Sequence, residues 1–293
     1  FFMSIGKDTV KFYLDWEESE EKGAALENKI KEYIDEHGKY ENEELIIGMW
    51  EGAYEKDPKN LVDFLVKNAE KFPNLKKIYW GDISWEECEV SWIQNTDLAP
   101  LVNNFKLTSL TVKGGNGLRL KNMKSDTLKK LEIISGGTSK DALNDIINSE
   151  IPNLEHLEIY MGVDDYGFDA KIEDMKPFVE KEKFPELKYL GLKNSDLEDE
   201  ICELVLSGNI LPQLEVLDLS YGTLSDKGVE LLINNIDKIS HLKGLDLEYN
   251  YASKELLDKL KEQTDKFGIK LDISQSEVDM DEENDWRYPY ITE

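Results

Sequence analysis

The feature that most constrains this chain is self-similarity. The pattern L-x-x-L-x-L, with close variants, recurs seven times, at Leu75/Ile78/Trp80, Leu107/Leu110/Val112, Leu128/Leu131/Ile133, Leu154/Leu157/Ile159, Leu187/Leu190/Leu192, Leu214/Leu217/Leu219 and Leu242/Leu245/Leu247. The first positions step by 32, 21, 26, 33, 27 and 28 residues, a mean of about 28. A unit of that size cannot bury its own apolar face, so such units stack and share a core. Two flanking segments extend the array: Leu45 to Trp50 reads as a strand before it, and Ile269 to Ile273 alternates as a strand after it.

Between strands the helical period returns. Asp226 to Asn235 and Asp141 to Asn148 each begin with an acid and place apolar residues at helical spacing. At the N-terminal side, Val10, Phe12, Leu14 and Trp16 alternate as a strand. Leu26, Ile30, Tyr33, Ile34 and His37 then mark one face of a helix ended by Gly38. This strand and helix (residues 1–43) read as a cap over the end of a stacked core spanning 44–274, with a tail over 275–293.

Strand plus helix in each repeat, together with the phrase Leu217-Asp-Leu-Ser-Tyr-Gly-Thr-Leu-Ser-Asp-Lys-Gly228, resembles the ribonuclease-inhibitor-like leucine-rich repeat. The resemblance implies an α/β leucine-rich-repeat solenoid, a horseshoe with a parallel concave sheet and outer helices. The family's asparagine after the strand stands here only as Asn250, with Ser195 and Gly222 at the matching places, so a regular asparagine ladder is not expected. A longer resemblance runs through Trp80 to Asp97, Phe184 to Ser195 and Arg287-Tyr288. These segments are similar to a family of uncharacterised bacterial cytoplasmic leucine-rich-repeat proteins. That likeness implies fold and compartment, and carries no catalytic residues.

Charge narrows the partners. Over 293 residues, 62 acidic against 35 basic side chains give a net charge of −27. Nucleic acid and anionic membrane surfaces both demand dense positive charge, so neither is expected as a partner. Cys88 and Cys202 are the two cysteines, without metal-ligand spacing, so no disulfide framework or zinc site is expected. No long apolar run or secretory leader is evident, and a cytoplasmic protein is expected; Phe1-Phe2-Met3 reads as an added remnant or a start inside a longer N-terminus.

If the leucines point inward, alternate residues line the opposite face of the sheet. The middle position of that face reads Tyr79, Thr111, Glu132, Glu158, Gly191, Asp218, Asp246 and Asp272. Asp218, Asp246 and Asp272 are expected as an unneutralised ladder, with Lys77, Lys113, Lys130, Lys193 and Lys270 in other columns offsetting part of the charge. Tyr79, Tyr160, Tyr189, Tyr221 and Tyr249 add aromatic contact area. The functional reading is a docking surface for a protein or peptide with a basic patch; the alternative is an ordinary solvated face.

Irregular repeats give a second pointer, because insertions on one edge often mark a binding face. Gly81 to Trp92 and Met161 to Ala170 lengthen two repeats, and Gly114 to Gly117 and Gly136-Gly137 stand at the same point in the two between. Trp85 and Trp92 either shape a pocket rim, with Asp82, Glu86, Glu87 and Glu89 supplying charge, or fold inward to pack the longer repeat. Asp165 and Tyr166 would border the site from the second insertion, whose Asp164, Asp165 and Asp169 offer clustered carboxylates of the kind that Ca²⁺ or Mg²⁺ favours but, without an ordered ligand pattern, read as a solvated turn.

Catalysis finds little footing. Histidine occurs as His37, His156 and His241, and a Cys88/His156 nucleophile pair has no spacing in its favour. Gly114 to Gly117 lacks the Gly-Lys-Ser/Thr ending of a phosphate loop. No cofactor or metal is expected. The tail alternates Asp279, Asp281, Glu283 and Asp285 without the glycine of a calcium loop, and reads as a mobile acidic segment. Its Trp286, Arg287, Tyr288 and Tyr290 either dock back on the repeats or bind a partner. The expectation is non-catalytic recognition of a protein or peptide. The alternative is an enzyme, or a substrate-presenting enzyme subunit, with a site on the insertion edge.

Overall fold

The computed structural model of the protein describes residues 9–20, 23, 25–276 and 286–292. The acids Asp279, Asp281, Glu283 and Asp285 lie outside the described residues. The chain is α/β and its strands are parallel. Two compact units are distinguished, one running to Ile134 and including Asn144–Ile151, the other comprising Ser135–Leu143 and the chain from Pro152 on.

The first unit carries β1 (Val10–Phe12), β2 (Glu44–Ile47), β3 (Lys77–Trp80), β4 (Ser109–Lys113) and β5 (Lys130–Ile134). Each pairs in parallel with the next, and the register sets Val10, Leu45, Ile78, Leu110 and Leu131 side by side. The second unit repeats the arrangement with β6 (His156–Gly162), β7 (Tyr189–Ser195), β8 (Val216–Asp218), β9 (Gly244–Asp246) and β10 (Lys270–Asp272). Here the aligned row is Leu157, Leu190, Leu217, Leu245 and Leu271. Parallel neighbours need a crossover between them; within each unit helices supply it at every step except β4 to β5, where residues 114–129 carry no helix.

Those helices are α1 (Trp16–Glu20), α2 (Leu26–His37), α3 (Lys59–Lys67), α4 (Ala99–Asn104), α5 (Lys140–Ile147), α6 (Ile172–Met175), α7 (Glu198–Ser207), α8 (Asp226–Asn234), α9 (Ile236–Ile239) and α10 (Lys254–Phe267). The helices expected from Asp141 and Asp226 are α5 and α8. Ser225 caps α8 by accepting from the Lys227 N–H. Gly38 ends α2 in a positive-φ conformation that suits a residue without Cβ. Trp16 was expected to continue the first strand and instead opens α1, because Asp15 accepts from the Glu18 N–H and starts a helical turn there. Among the described residues no helix is long and apolar enough to cross a membrane.

The repeat leucines build the core. Leu190, Leu192, Leu217, Leu219 and Leu247 are wholly inaccessible, and Leu245 nearly so. The absence of a regular asparagine row has a physical reason in the second unit. Asn250 bonds to the Leu247 carbonyl and accepts from the Ala252 N–H, whereas the space beside Gly222 is filled by the Glu198 carboxyl. A Cβ on Gly222 would lie 2.1 Å from Glu198 Oε2.

Truncating a leucine in the aligned row leaves a cavity that its close-packed neighbours cannot fill. Leu217→Ala is expected to cost about 2–5 kcal/mol, read as a lower urea midpoint at unchanged slope.

Candidate functional site

In the second unit, strand register lays Glu158, Gly191, Asp218, Asp246 and Asp272 in one row. With strands about 4.8 Å apart, adjacent carboxylates repel strongly unless something intervenes. The row is not the open ladder expected from sequence. Asp218 is fully buried, and Lys193 places its ammonium 2.5 Å from Asp218 Oδ2 and 3.2 Å from Glu158 Oε1. Tyr189 donates its hydroxyl to Asp218 Oδ2 at 2.5 Å, and His156 Nε2 lies 3.0 Å from Glu158 Oε2 while its ring stacks on Tyr189. Gly191 leaves room for these side chains: a Cβ there would meet Glu158 Cγ at 3.2 Å.

Lys193 itself is buried beneath two rings, with its ammonium 5.0 Å from the Tyr160 centroid and 4.8 Å from that of Tyr221. Burial works against its charge, yet Asp218, Tyr160 and Glu158 raise its pKa overall. Burial likewise opposes the Glu158 carboxylate, but the bond to His156 and the Lys193 charge hold it below the usual range. Asp246 has no ion-pair partner among the described residues: burial and the charge of Asp218 push its pKa from 3.8 to about 6. Asp272 is stabilised as a carboxylate by Ser274.

Near the end of β7, and three residues past the ends of β8 and β9, the chain turns through a left-handed residue that is not glycine: Asn194 at φ 56°, Tyr221 at φ 65° and Tyr249 at φ 57°. Such a conformation costs an ordinary L-residue roughly 1–2 kcal/mol, and strained positions of this kind gather at working surfaces. All three touch the segment 286–292. Asn194 Nδ2 donates to the Ile291 carbonyl at 2.6 Å and Asn194 Oδ1 accepts from the Ile291 N–H at 2.8 Å. The Tyr290 N–H donates to the Tyr221 carbonyl at 2.8 Å, and the Tyr290 ring lies 5.2 Å from Tyr221 and 5.1 Å from Tyr249. Tyr251 donates to the Tyr288 carbonyl at 2.9 Å and accepts from its N–H at 3.0 Å. Tyr249 adds a bond to the same carbonyl, and Arg287 pairs with Asp199 at 3.8 Å. Of the two roles left open for this segment, Arg287, Tyr288 and Tyr290 dock back on the repeats, whereas Trp286 stays 64% exposed.

The second insertion contributes differently. Tyr160 is buried against Lys193, Asp165 is exposed on a short helical turn and Tyr166 is half-buried. Asp169 caps α5 by accepting from the Lys140 N–H. Gly162 permits a close backbone approach, since a Cβ there would fall 1.7 Å from the Gly136 carbonyl oxygen.

In the first unit, the corresponding row is Ile46, Tyr79, Thr111 and Glu132. Tyr79 is half-buried with its pKa pushed up by burial to about 12, and Glu132 is bound by Thr111 and Lys130. Asp82 pairs with Lys11 at 2.9 Å. Trp85 and Trp92 do not fold inward. They are 74% and 56% exposed and line a cleft of about 230 Å³ with Trp16, Tyr54, Glu86, Glu87, Cys88 and Glu89. Ile83, Val90 and Ile93 supply the buried anchors of this insertion, which frees both indoles.

Neither half of the conceivable nucleophile pair is poised. Burial pushes the Cys88 thiol up to about 11, so it stays protonated at neutral pH, and His156 is held by Glu158 and Tyr189. Sequence reading did not reach Trp16, Tyr54, Asn194, Tyr251 or Ile291. The recurrence of Asn194, Tyr221 and Tyr249 one residue before Ser195, Gly222 and Asn250 was the available signal for the contact with residues 286–292.

Two expectations follow from the carboxylate row. Lys193→Met leaves Glu158 and Asp218 buried without their cation and is expected to cost about 3–5 kcal/mol, measured by urea unfolding. Asp246 holds its proton more tightly in the folded state, so stability should fall as pH rises from 3.8 to about 6. Asp246→Asn should flatten that stretch of the stability profile.

No family model matches the chain, and no curated protein matches it. Among solved structures, a crystal structure of a Bacteroides fragilis protein, a structural-genomics target, superposes with a TM-score of 0.85. It is 38% identical, over 93% of this chain and 76% of that one. That identity, carried over nearly the whole repeat array, places the chain in the same family as the Bacteroides fragilis protein.

Proposed function

We propose that this chain is a leucine-rich-repeat solenoid that recognises a protein or peptide partner without catalysing a reaction. The repeat spacing and the aligned leucine rows support the repeat type. One observation carries the recognition reading: three successive repeats place a left-handed, non-glycine residue on a seat that holds a stretch of polypeptide. The seat reads main-chain groups through Asn194 and Tyr251 and a ring through Tyr221 and Tyr249. Main-chain hydrogen bonds supply affinity and side-chain pockets supply selection, as in other modes of extended-peptide binding. In this reading the segment 286–292 is a resident ligand, which a partner peptide of similar chemistry displaces.

A tethered ligand competes at an effective concentration on the order of millimolar, so the test weakens it without removing it. A fluorescent peptide Trp-Arg-Tyr-Pro-Tyr-Ile-Thr is titrated into the full chain and its Tyr290→Ala variant, with anisotropy as the readout. The peptide is expected to bind the variant at least about tenfold more tightly than the parent, and adding Asn194→Ala should abolish the gain. Equal binding to both chains, or none to either, removes the recognition reading for this seat.

A further inference from the structure

The first unit holds a second surface that the peptide seat does not explain. Trp85 and Trp92 are large apolar side chains left mostly in solvent, and Trp16 across the cleft is 51% exposed. Exposed tryptophan is costly surface, and here three indoles and Tyr54 face one cleft. The aromatic walls are held in place. Trp16 stacks on Tyr54 at 6.4 Å, and the Tyr54 hydroxyl donates to Glu20. Glu87 accepts from the Ser84 N–H and hydroxyl, closing the turn that projects Trp85. The Trp92 N–H donates to the Glu89 carbonyl, and Gln94 ties the Trp92 and Tyr54 carbonyls together.

The floor and rim carry Glu86, Glu87 and Glu89, none of which has an ion-pair partner among the described residues. Nearby cations are already engaged: Lys11 with Asp82, Lys56 with Glu51 and Lys113 with the Ile83 carbonyl. Indole faces attract cations through their quadrupole, most strongly among the aromatic side chains, and unpaired carboxylates beside them add to the same preference. At about 230 Å³ the cleft falls below the roughly 300–1,000 Å³ of sites that enclose a drug-sized molecule or cofactor. A side chain entering from a partner's surface fits that size.

We propose that the cleft formed by Trp16, Tyr54, Trp85 and Trp92 binds the cationic end of an arginine or lysine side chain presented by a partner polypeptide. The assignment rests on the recognition reading above and names the chemistry of one contact within it. It does not involve the seat for residues 286–292, so the two can fail separately. The aromatic faces receive the cation, and Glu86 and Glu89 supply the counter-charge.

The test uses the full chain and two heptapeptides of alternating glycine and X, with X either arginine or citrulline, its neutral isostere. Tryptophan indole N–H signals are followed by ¹⁵N NMR, assigned with single Trp→Phe variants. The arginine peptide is expected to shift the Trp85 and Trp92 signals, with the citrulline peptide leaving them in place. Trp85→Ala, and separately Glu86→Gln with Glu89→Gln, should each weaken binding about tenfold. Because Trp85 is so exposed, its truncation leaves the fold intact, which far-UV circular dichroism verifies. A control pair on α10, Glu255→Gln with Glu262→Gln, removes the same charge elsewhere and should leave affinity unchanged. Equal loss in the control pair, equal binding of the citrulline peptide, or unmoved indole signals would each overturn the assignment. Asn194→Ala should have no effect on this titration, whichever way the peptide-seat experiment falls.

Discussion

In-register stacking of parallel strands is the constraint on which everything else rests. It sets each residue beside its counterpart in the next repeat, so whatever one repeat places on a face is multiplied along it. For leucine the multiplication is favourable, since each buried side chain packs against another of the same shape. For carboxylates it is not. The row from Glu158 to Asp272 survives because Lys193 reaches from a neighbouring column to sit between Glu158 and Asp218, and because Gly191 leaves a gap where a fourth side chain would crowd the group. A buried pair of this kind is weak evidence for net stability, yet removing one member is severe. The second unit is thereby committed to one arrangement of its polar side chains.

That arrangement extends outward. Lys193 lies by the rings of Tyr160 and Tyr221, Tyr221 stacks on Tyr290, and Tyr249 completes the contact. The chain from the buried charge to the docked segment is therefore continuous: ion pair, cation on ring, ring on ring, main chain on side chain. Each link is short-ranged. The left-handed turns at Asn194, Tyr221 and Tyr249 aim these groups at one another, and their backbone cost is offset by the contacts that they make.

The sequence exposed the periodic parts of this structure and concealed the pairwise ones. Repeat spacing located the strands, their register and the buried leucines, because periodicity is a property of one chain read along its length. Helices α5 and α8 were legible from an acid followed by apolar residues at helical spacing. The role of Lys193 was not, since which carboxylate a lysine reaches depends on side-chain packing across strands. Trp16 was assigned to a strand on alternation alone, and the turn made by Asp15 and Glu18 overrode that pattern. Trp85 and Trp92 left two possibilities open, and the smaller apolar residues Ile83, Val90 and Ile93 decided between them by filling the interior. The docked segment was visible only as a composition too aromatic for a solvated tail.

The bond between Asn194 and Ile291 has an evolutionary consequence. A carboxamide that takes both the N–H and the C=O of one residue identifies a peptide unit and ignores what is attached to it. Position 291 is thus free to drift among most residue types without loosening the segment, with proline the exception because it has no N–H to offer. Position 290 has less freedom, as its ring packs on Tyr221 and Tyr249. Selection on the segment 286–292 should then act on alternate residues, leaving a pattern that looks like partial decay but records which atoms are being read.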